Sequence, residues 1–401
     1  MSNVAVFDRP APAAALAGRR LEAIDLLRGI VIALMVLDHV RDFFHESAFL
    51  FNPLDVEKTS AALYLTRWIT HFCAPVFVFL AGVSAFLHGA RLDSRAALSR
   101  FLLTRGLWLV LLEVTVVGFA WDFALRGALL QVIWVIGAAM VALAALVWLP
   151  QRAILAVGVS IIAGHNILDG IEPAQFGELS WVWRLLHDGG RVRSGGFGLY
   201  VVYPLLPWIG VMAAGYGLGF VFRQDAGARR RTLTILGLAM ITGFLLLRGF
   251  HLYGDPRDWM PRAGLLATAG DFLDVRKYPP SLMYVLATLG PAFLLLPRLE
   301  QWRGRLAEVL LAFGRVPLFC YLLHLYLAHG LMLIAGVAAG YPASMFIGIV
   351  SDPRMLIMNG WGVSLAATYG LWLFVLALLY PACRWFGEIK RRRRDWWLSY
   401  L

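Results

Sequence analysis

Apolar positions run along this chain in long blocks, not in the alternation of a half-buried strand or the one-sided stripe of a soluble helix. A hydrocarbon core about 30 Å thick asks roughly 20 apolar residues of each helix. Blocks suited to spanning it fall at residues 24–44, 62–88, 102–121, 128–149, 152–168, 200–222, 232–251, 280–297, 308–337 and 361–386. Short breaks rich in Arg or in Pro and Gly separate them. The pattern predicts an all-α fold, a polytopic transmembrane bundle of about ten spanning helices. No internal repeat of 20–50 residues is visible.

An even number of spans puts both ends of the bundle on one side, and charge says which side. Connections after even-numbered spans hold Arg91, Arg95 and Arg100, then Arg152, then Arg223 and Arg229, Arg230 and Arg231, then Arg298, Arg303 and Arg305. The chain closes on the basic run "KRRRRDWW". Lys and Arg favour the cytoplasmic face, so both termini are expected there. The other connections, 45–61, 122–127, 169–199, 252–279 and 338–360, are rich in Pro, Gly, Trp and acidic residues and are expected outside. One of these departs from the rule with Arg257, Arg262, Arg276 and Lys277. That excess suits either an ordinary solvated loop or an anionic ligand.

Three regions follow: residues 1–20 as a cytoplasmic tail, 21–386 as one transmembrane domain, and 387–401 as a basic cytoplasmic tail. The first region lacks the basic-then-apolar order of a cleaved signal peptide, so the first span is expected to serve as an uncleaved anchor.

Composition agrees with the pattern. Of 401 residues 60% are hydrophobic and 15% charged, with a mean hydropathy of +0.70, beyond the range of soluble domains. The net charge of +11 lies in clusters between spans, which argues for topology and against a nucleic-acid partner. Cys73, Cys320 and Cys383 sit in or beside apolar runs without CxxC or Cys/His ligand spacing, so no disulfide and no metal is expected.

Ionisable residues inside spans carry the functional signal, because lipid makes unused charge expensive. In "DLLRGIVIALMVLDHVRDFFH" Arg28 and His39 are eleven residues apart, on one helical stripe roughly 16 Å long. Asp38, Arg41, Asp42 and His45 follow at i, i+3, i+4 and i+7, a self-pairing polar face. Asp25 and Arg28 also suit a plain interfacial ion pair. In the second span Arg67 and His71 precede Pro75, which should bend the helix and free a carbonyl. His71 suits a cavity wall or a packing hydrogen bond. Glu113 needs a cationic partner, and His324 and His329 share the ninth span with Tyr321 and Tyr326.

No P-loop, GxSxG, HExxH or dinucleotide fingerprint occurs. What remains is imidazole and carboxylate within the bilayer, with Arg residues on the cytoplasmic side able to hold phosphates. That combination suits acyl transfer from a phosphate-bearing donor to an acceptor outside the cytosol.

The segments "AIDLLRGIVIALMVLDH", "APVFVFLAGVSAFL", "KYPPSLMYVLATLGPAFLLL", "FGRVPLFCYLLHLYLAH" and "RRRRDWWLSYL", in that order, resemble the bacterial branch of the heparan-alpha-glucosaminide N-acetyltransferase catalytic-domain family. The opening is also similar to the wider transmembrane acyltransferases, which begin with an LRG segment followed by a His. The resemblance implies a multi-helix membrane acetyltransferase that moves acetyl from cytoplasmic acetyl-CoA to an amino sugar on the far side. Animal lysosomal members carry an active-site Asn at the position of His39, followed by a His that has no single counterpart here, with His45 and His71 as the two candidates.

The expected function is therefore transfer of acetyl, or a small acyl group, from acetyl-CoA to an extracytoplasmic glycan amine or hydroxyl in a bacterial cytoplasmic membrane. His39 is the expected general base, Asp38 its orienting or charge-balancing partner, and His71 a second acid/base or oxyanion donor. Arg28, Arg91 and Arg105 are assigned to acetyl-CoA, and Arg41, Asp42, His45, Arg67 and His324 to the acceptor. The bilayer is the other partner, and a homodimer is compatible with the chain. The competing reading is a small-molecule or lipid transporter that uses the same Asp, His and Arg cluster without bond chemistry. The repeats and paired broken helices of many transporters are not visible.

Overall fold

A computed structural model describes residues 21–125, 127–194, 197–393, 395 and 398. The expected N-terminal tail lies outside the described residues, as does most of the chain beyond Arg392. Ten helices account for the ten apolar blocks: α1 Glu22–Phe44, α2 Ala61–Gly89, α3 Arg95–Asp122, α4 Val132–Leu146, α5 Gln151–Leu168, α6 Leu205–Arg223, α7 Ala226–Gly249, α8 Leu282–Leu299, α9 Pro317–Ala338 and α10 Leu365–Arg392. Eight of them are long and apolar enough to cross a membrane. The other two are α1, which is long but highly charged, and α4, which is apolar but only 15 residues long.

The bundle is organised around α1. Eighteen of its 23 residues are buried, and α2, α8, α9, α10 and the short helix Arg305–Gly314 all pack on it. A helix buried on every side is shielded from lipid and can carry ionised groups if they find partners. The closest approach is at a glycine pair. A Cβ at Gly29 would fall 2.0 Å from the Leu310 carbonyl oxygen, and one at Gly314 would fall 1.8 Å from that of Asp25. Only the missing side chains let these two backbones touch.

Three local features depart from the ten-block reading. The ninth block is two helices, because the first ends at Gly314 and Pro317 opens α9. Proline suits a first helical position, where its missing N–H costs nothing. The edges of the fourth and sixth blocks enter a small sheet of β1 Gly127–Leu130, β2 Gly190–Ser194 and β3 Phe197–Val201, in the order β1-β3-β2. β1 runs parallel and β2 antiparallel to β3, with Val201 opposite both Leu130 and Gly190. Pro204, just before α6, prevents that helix from extending back into the strand. The third departure is at fully buried Glu113. Among the described residues no cation meets it; it accepts from the Gln131 and Trp134 backbone N–H groups at 3.2 and 2.8 Å. The N-terminus of α4 thus replaces the expected Arg.

Candidate functional site

The last two turns of α1 and the bend in α2 form a polar island in this apolar bundle. Asp38 receives Arg41 at 2.9 Å on one carboxylate oxygen and Arg67 of α2 at 2.5 Å on the other. Arg41 also donates to Asp42 at 2.6 Å. These pairs keep ionised groups at depth by mutual compensation. They also occupy both Asp38 oxygens, so Asp38 is placed to balance charge beside His39 and does not orient its ring by a hydrogen bond.

His324 of α9 takes that orienting position. His39 Nδ1 and His324 Nε2 are 2.7 Å apart, and His324 Nδ1 lies 3.1 Å from the Cys320 carbonyl oxygen. A carbonyl only accepts, so His324 Nδ1 carries the proton and its Nε2 accepts from His39 Nδ1–H. The neutral His39 ring therefore has its lone pair on Nε2, which makes no hydrogen bond to a described residue. Trp121 packs edge-on against His39 with ring centres 4.8 Å apart.

Pro75 cannot donate to the carbonyl of residue 71, and α2 passes through a 3-10 turn at Thr70–Phe72. The freed His71 carbonyl accepts from Tyr284 Oη of α8 at 2.7 Å. His71 is 2% exposed, and neither ring nitrogen has a hydrogen-bond partner among the described residues. A buried polar group in that state asks for a functional account.

The loop between α7 and α8 completes the island. Arg257 pairs with Asp274, Arg262 binds Asp271 and Glu57, each at 3.0 Å, and Arg276 Nε donates to the Tyr278 carbonyl at 3.1 Å. Lys277 behaves differently. It is buried, forms no ion pair among the described residues, and its charge acts on Asp38, His39 and His71 together. Burial alone would push the neighbouring Tyr278 phenol up, but the Lys277 and Arg67 cations outweigh it and hold it below its ordinary value. The surplus of cations in this loop was visible in the sequence, but which one turns inward was not. Tyr278, Tyr284 and Trp121 had no distinguishing signal.

Other assigned residues lie apart. His45, just past α1, accepts at Nδ1 from the Ser47 N–H and hydroxyl at 3.1 and 2.8 Å. It lines a cavity of about 280 Å³ with Phe43, Glu46, Phe49, Leu356 and Trp361. Phe43 stacks on Trp121, which packs on His39, so two aromatic rings link the wall of this cavity to His39. At the opposite end of α1, Arg28 binds Asp25 at 3.3 Å, the Leu80 carbonyl at 3.3 Å and the Ser84 hydroxyl. One turn beyond Ser84 is His88, on which the charges of exposed Arg91 and half-buried Arg105 both act. The three residues assigned to the donor thus sit near one another. His329 faces the Ala120 and Phe346 carbonyl oxygens at 2.8 and 2.7 Å, and Tyr326 donates to the Val116 carbonyl, so both tie α9 to its neighbours.

Residues 20–253 match the family described as heparan-alpha-glucosaminide N-acetyltransferase, catalytic. The match spans more than half of the chain, and the chain belongs to that family: it is an integral membrane protein of an acetyltransferase family. No curated protein matches it. Asp38, His39, Arg67 and His71 fall within the matched stretch, while Lys277 and His324 lie beyond it.

Proposed function

We propose that this family member transfers an acetyl or small acyl group from acetyl-CoA, held on the Arg28 side, to a sugar amine or hydroxyl arriving from the opposite side, with His39 as general base. One observation carries the assignment: within the membrane-spanning bundle, His324 and the Cys320 carbonyl hold His39 in the tautomer that presents a free Nε2. The charge pattern of the connections supports a cytoplasmic position for the Arg28 end and for both termini. The reading takes residues 21–386 as the catalytic unit, in a bacterial cytoplasmic membrane.

In this reading Arg91 and Arg105 hold the donor's phosphates. Arg28, already on Asp25 and Ser84, positions α1 against α2 beneath them. The acceptor approaches past His45 and the aromatic cavity, with Arg41, Asp42 and Arg67 on its polar side. The acceptor nitrogen or oxygen bonds to the acetyl carbonyl carbon while its proton passes to His39 Nε2. The C–S bond then breaks, and the departing sulfur takes up a proton from the imidazolium, giving the acetylated sugar and free CoA. Lys277 supplies positive charge for the oxyanion, and His71, with both nitrogens free, serves as a second acid/base. Placed general bases contribute about 10²–10⁴-fold.

His39→Ala in purified protein should therefore lose acetyl-CoA-dependent acetylation of a glucosamine-type acceptor by about 10²–10⁴-fold, with its melting temperature nearly kept. Wild-type rates in that variant would refute the base assignment. Absence of both thermal stabilisation by acetyl-CoA and CoA release from the wild type would favour the transporter reading. Labelled acetyl-CoA without acceptor separates the two routes, since an acetylated His39 would indicate a covalent intermediate.

A further inference from the structure

We propose that His165, Asp169 and His187 form a binding site for a divalent transition-metal ion of the zinc class, built from residues outside the polar island and independent of the acyl-transfer reading. His165 opens the 3-10 turn His165–Leu168 that ends α5, and Asp169 directly follows that turn. His187 arrives from the helical turn Arg184–Asp188. The three donor atoms lie within 4.8 Å of one another. From His187 Nε2, His165 Nδ1 is 3.4 Å away and Asp169 Oδ1 3.7 Å. A tetrahedral ion with bonds of 2.0–2.1 Å has ligand-to-ligand edges of roughly 3.3 Å. Small adjustments would bring both contacts to that length, and the His165–Asp169 edge, within 4.8 Å, closes as the two side chains turn toward the ion.

The surroundings are prepared in the manner of a metal site. Asn166 Nδ2 holds Asp169 Oδ2 at 2.8 Å, which orients the carboxylate. Its other oxygen is buried and has no hydrogen-bond partner. Trp183 stacks on His187 with ring centres 5.2 Å apart. Two imidazoles and one carboxylate suit zinc and its neighbours better than magnesium or calcium, and they leave a fourth position for water.

Two contacts oppose the ion. Arg276 Nη1 is 3.8 Å from Asp169 Oδ1, and His187 Nε2 is 3.0 Å from the His165 carbonyl oxygen, to which it donates when no metal is bound. Metal binding moves the His187 proton to Nδ1. Arg276 keeps its anchor on the Tyr278 carbonyl.

The site also has a structural consequence. Asn166 Oδ1 accepts from the Leu282 N–H at 2.9 Å, and Arg276 reaches toward Asp169. The cluster therefore borders both ends of the segment that bears Lys277 and Tyr278. An ion here would fasten that segment to α5.

The test uses the full chain in detergent, purified without a polyhistidine tag. Elemental analysis should find about one zinc-class ion per chain, one site filled. The ion should be absent from His187→Ala and Asp169→Asn and kept in His251→Ala, which alters an exposed histidine elsewhere. A chelator should lower the melting temperature of the wild type but not of the two site variants, and Zn²⁺ should restore it. Metal content no higher in the wild type than in the site variants, with Zn²⁺ shifting all three melting temperatures alike, would overturn the proposal. If His187→Ala does not fold, Asp169→Asn gives the same reading. Neither readout involves acetyl transfer, so this proposal and the catalytic one can fail separately.

Discussion

At the N-terminal end of α1, Asp25 and Arg28 meet at 3.3 Å and Arg28 spreads its remaining donors over the Leu80 carbonyl and Ser84. Eleven residues on, the charges of Asp38 are just as firmly paired, yet His39 keeps an unengaged Nε2 and His71 two unengaged nitrogens. The two ends differ in the kind of group they bury: the first spends the Arg28 guanidinium on fixed partners, the second presents imidazole nitrogens with no hydrogen bond to a described residue. On the proposed function, the difference separates ion pairs that hold helices together from groups that meet the substrate.

The comparison breaks most visibly at Asp38. Neutralising it leaves the Arg41 and Arg67 guanidinium groups facing a weaker acceptor in a buried site, and removing one partner of such a pair costs about 3–5 kcal/mol. Asp38→Asn should therefore lower the melting temperature of the detergent-solubilised protein more than His39→Ala does. Arg67→Gln added to Asp38→Asn should recover part of the loss, because it removes one of the stranded charges. Equal melting temperatures for Asp38→Asn and the wild type would mean that the pairs contribute nothing.

A smaller effect is expected at the other end. Hydrogen bonds to charged groups contribute about 1.5–3 kcal/mol, so Arg28→Gln should lower stability by about that amount while the KM for acetyl-CoA changes little. Arg91→Gln, at an exposed position, should do the reverse and raise that KM at unchanged melting temperature. A large KM effect of Arg28→Gln without loss of stability would place Arg28 in direct contact with the donor and erase the distinction drawn between the two ends.

Much of this was readable from the chain because lipid punishes polar atoms. Every apolar block holds a helix, the ninth block two, and the intramembrane charges at Asp38, His39, Arg67 and His71 marked the island. What could not be read is how helices turn toward one another. His39 and His324 are 285 positions apart, and periodicity fixes neither helix's rotation about its axis. Asp38 was the nearer orienting candidate in sequence, but neighbours on a helix point about 100° apart. Lys277 was indistinguishable from three arginines until the loop folded and their carboxylates claimed them. His165 and Asp169 form a ligand-like pair only once His187 returns across the sheet-bearing segment to meet them.

The smallest predicted effect concerns His45, where α1 ends. Burial pushes its imidazole below the ordinary value; Glu46 works against that shift and Arg41 adds to it. The folded protein thus binds this proton less readily than the unfolded chain, whose imidazole titrates near about 6.5. The associated stability is fully present above that pH and is lost as pH falls toward the lower folded value. Protonation would also remove the lone pair that accepts from Ser47. His187 is lowered by burial as well, despite Asp169, so the informative quantity is a difference between two curves. Melting temperatures of the wild type and His45→Gln, recorded from pH 8 to pH 5 (about 6.5 at the centre), should run parallel at the alkaline end. They should converge toward the acid end as the wild type loses the advantage of a neutral His45. Parallel curves over the whole range would show that His45 does not couple to folding, and would leave the C-terminal end of α1 to its arginine pairs and its hydrogen bonds to Trp361 and Val363.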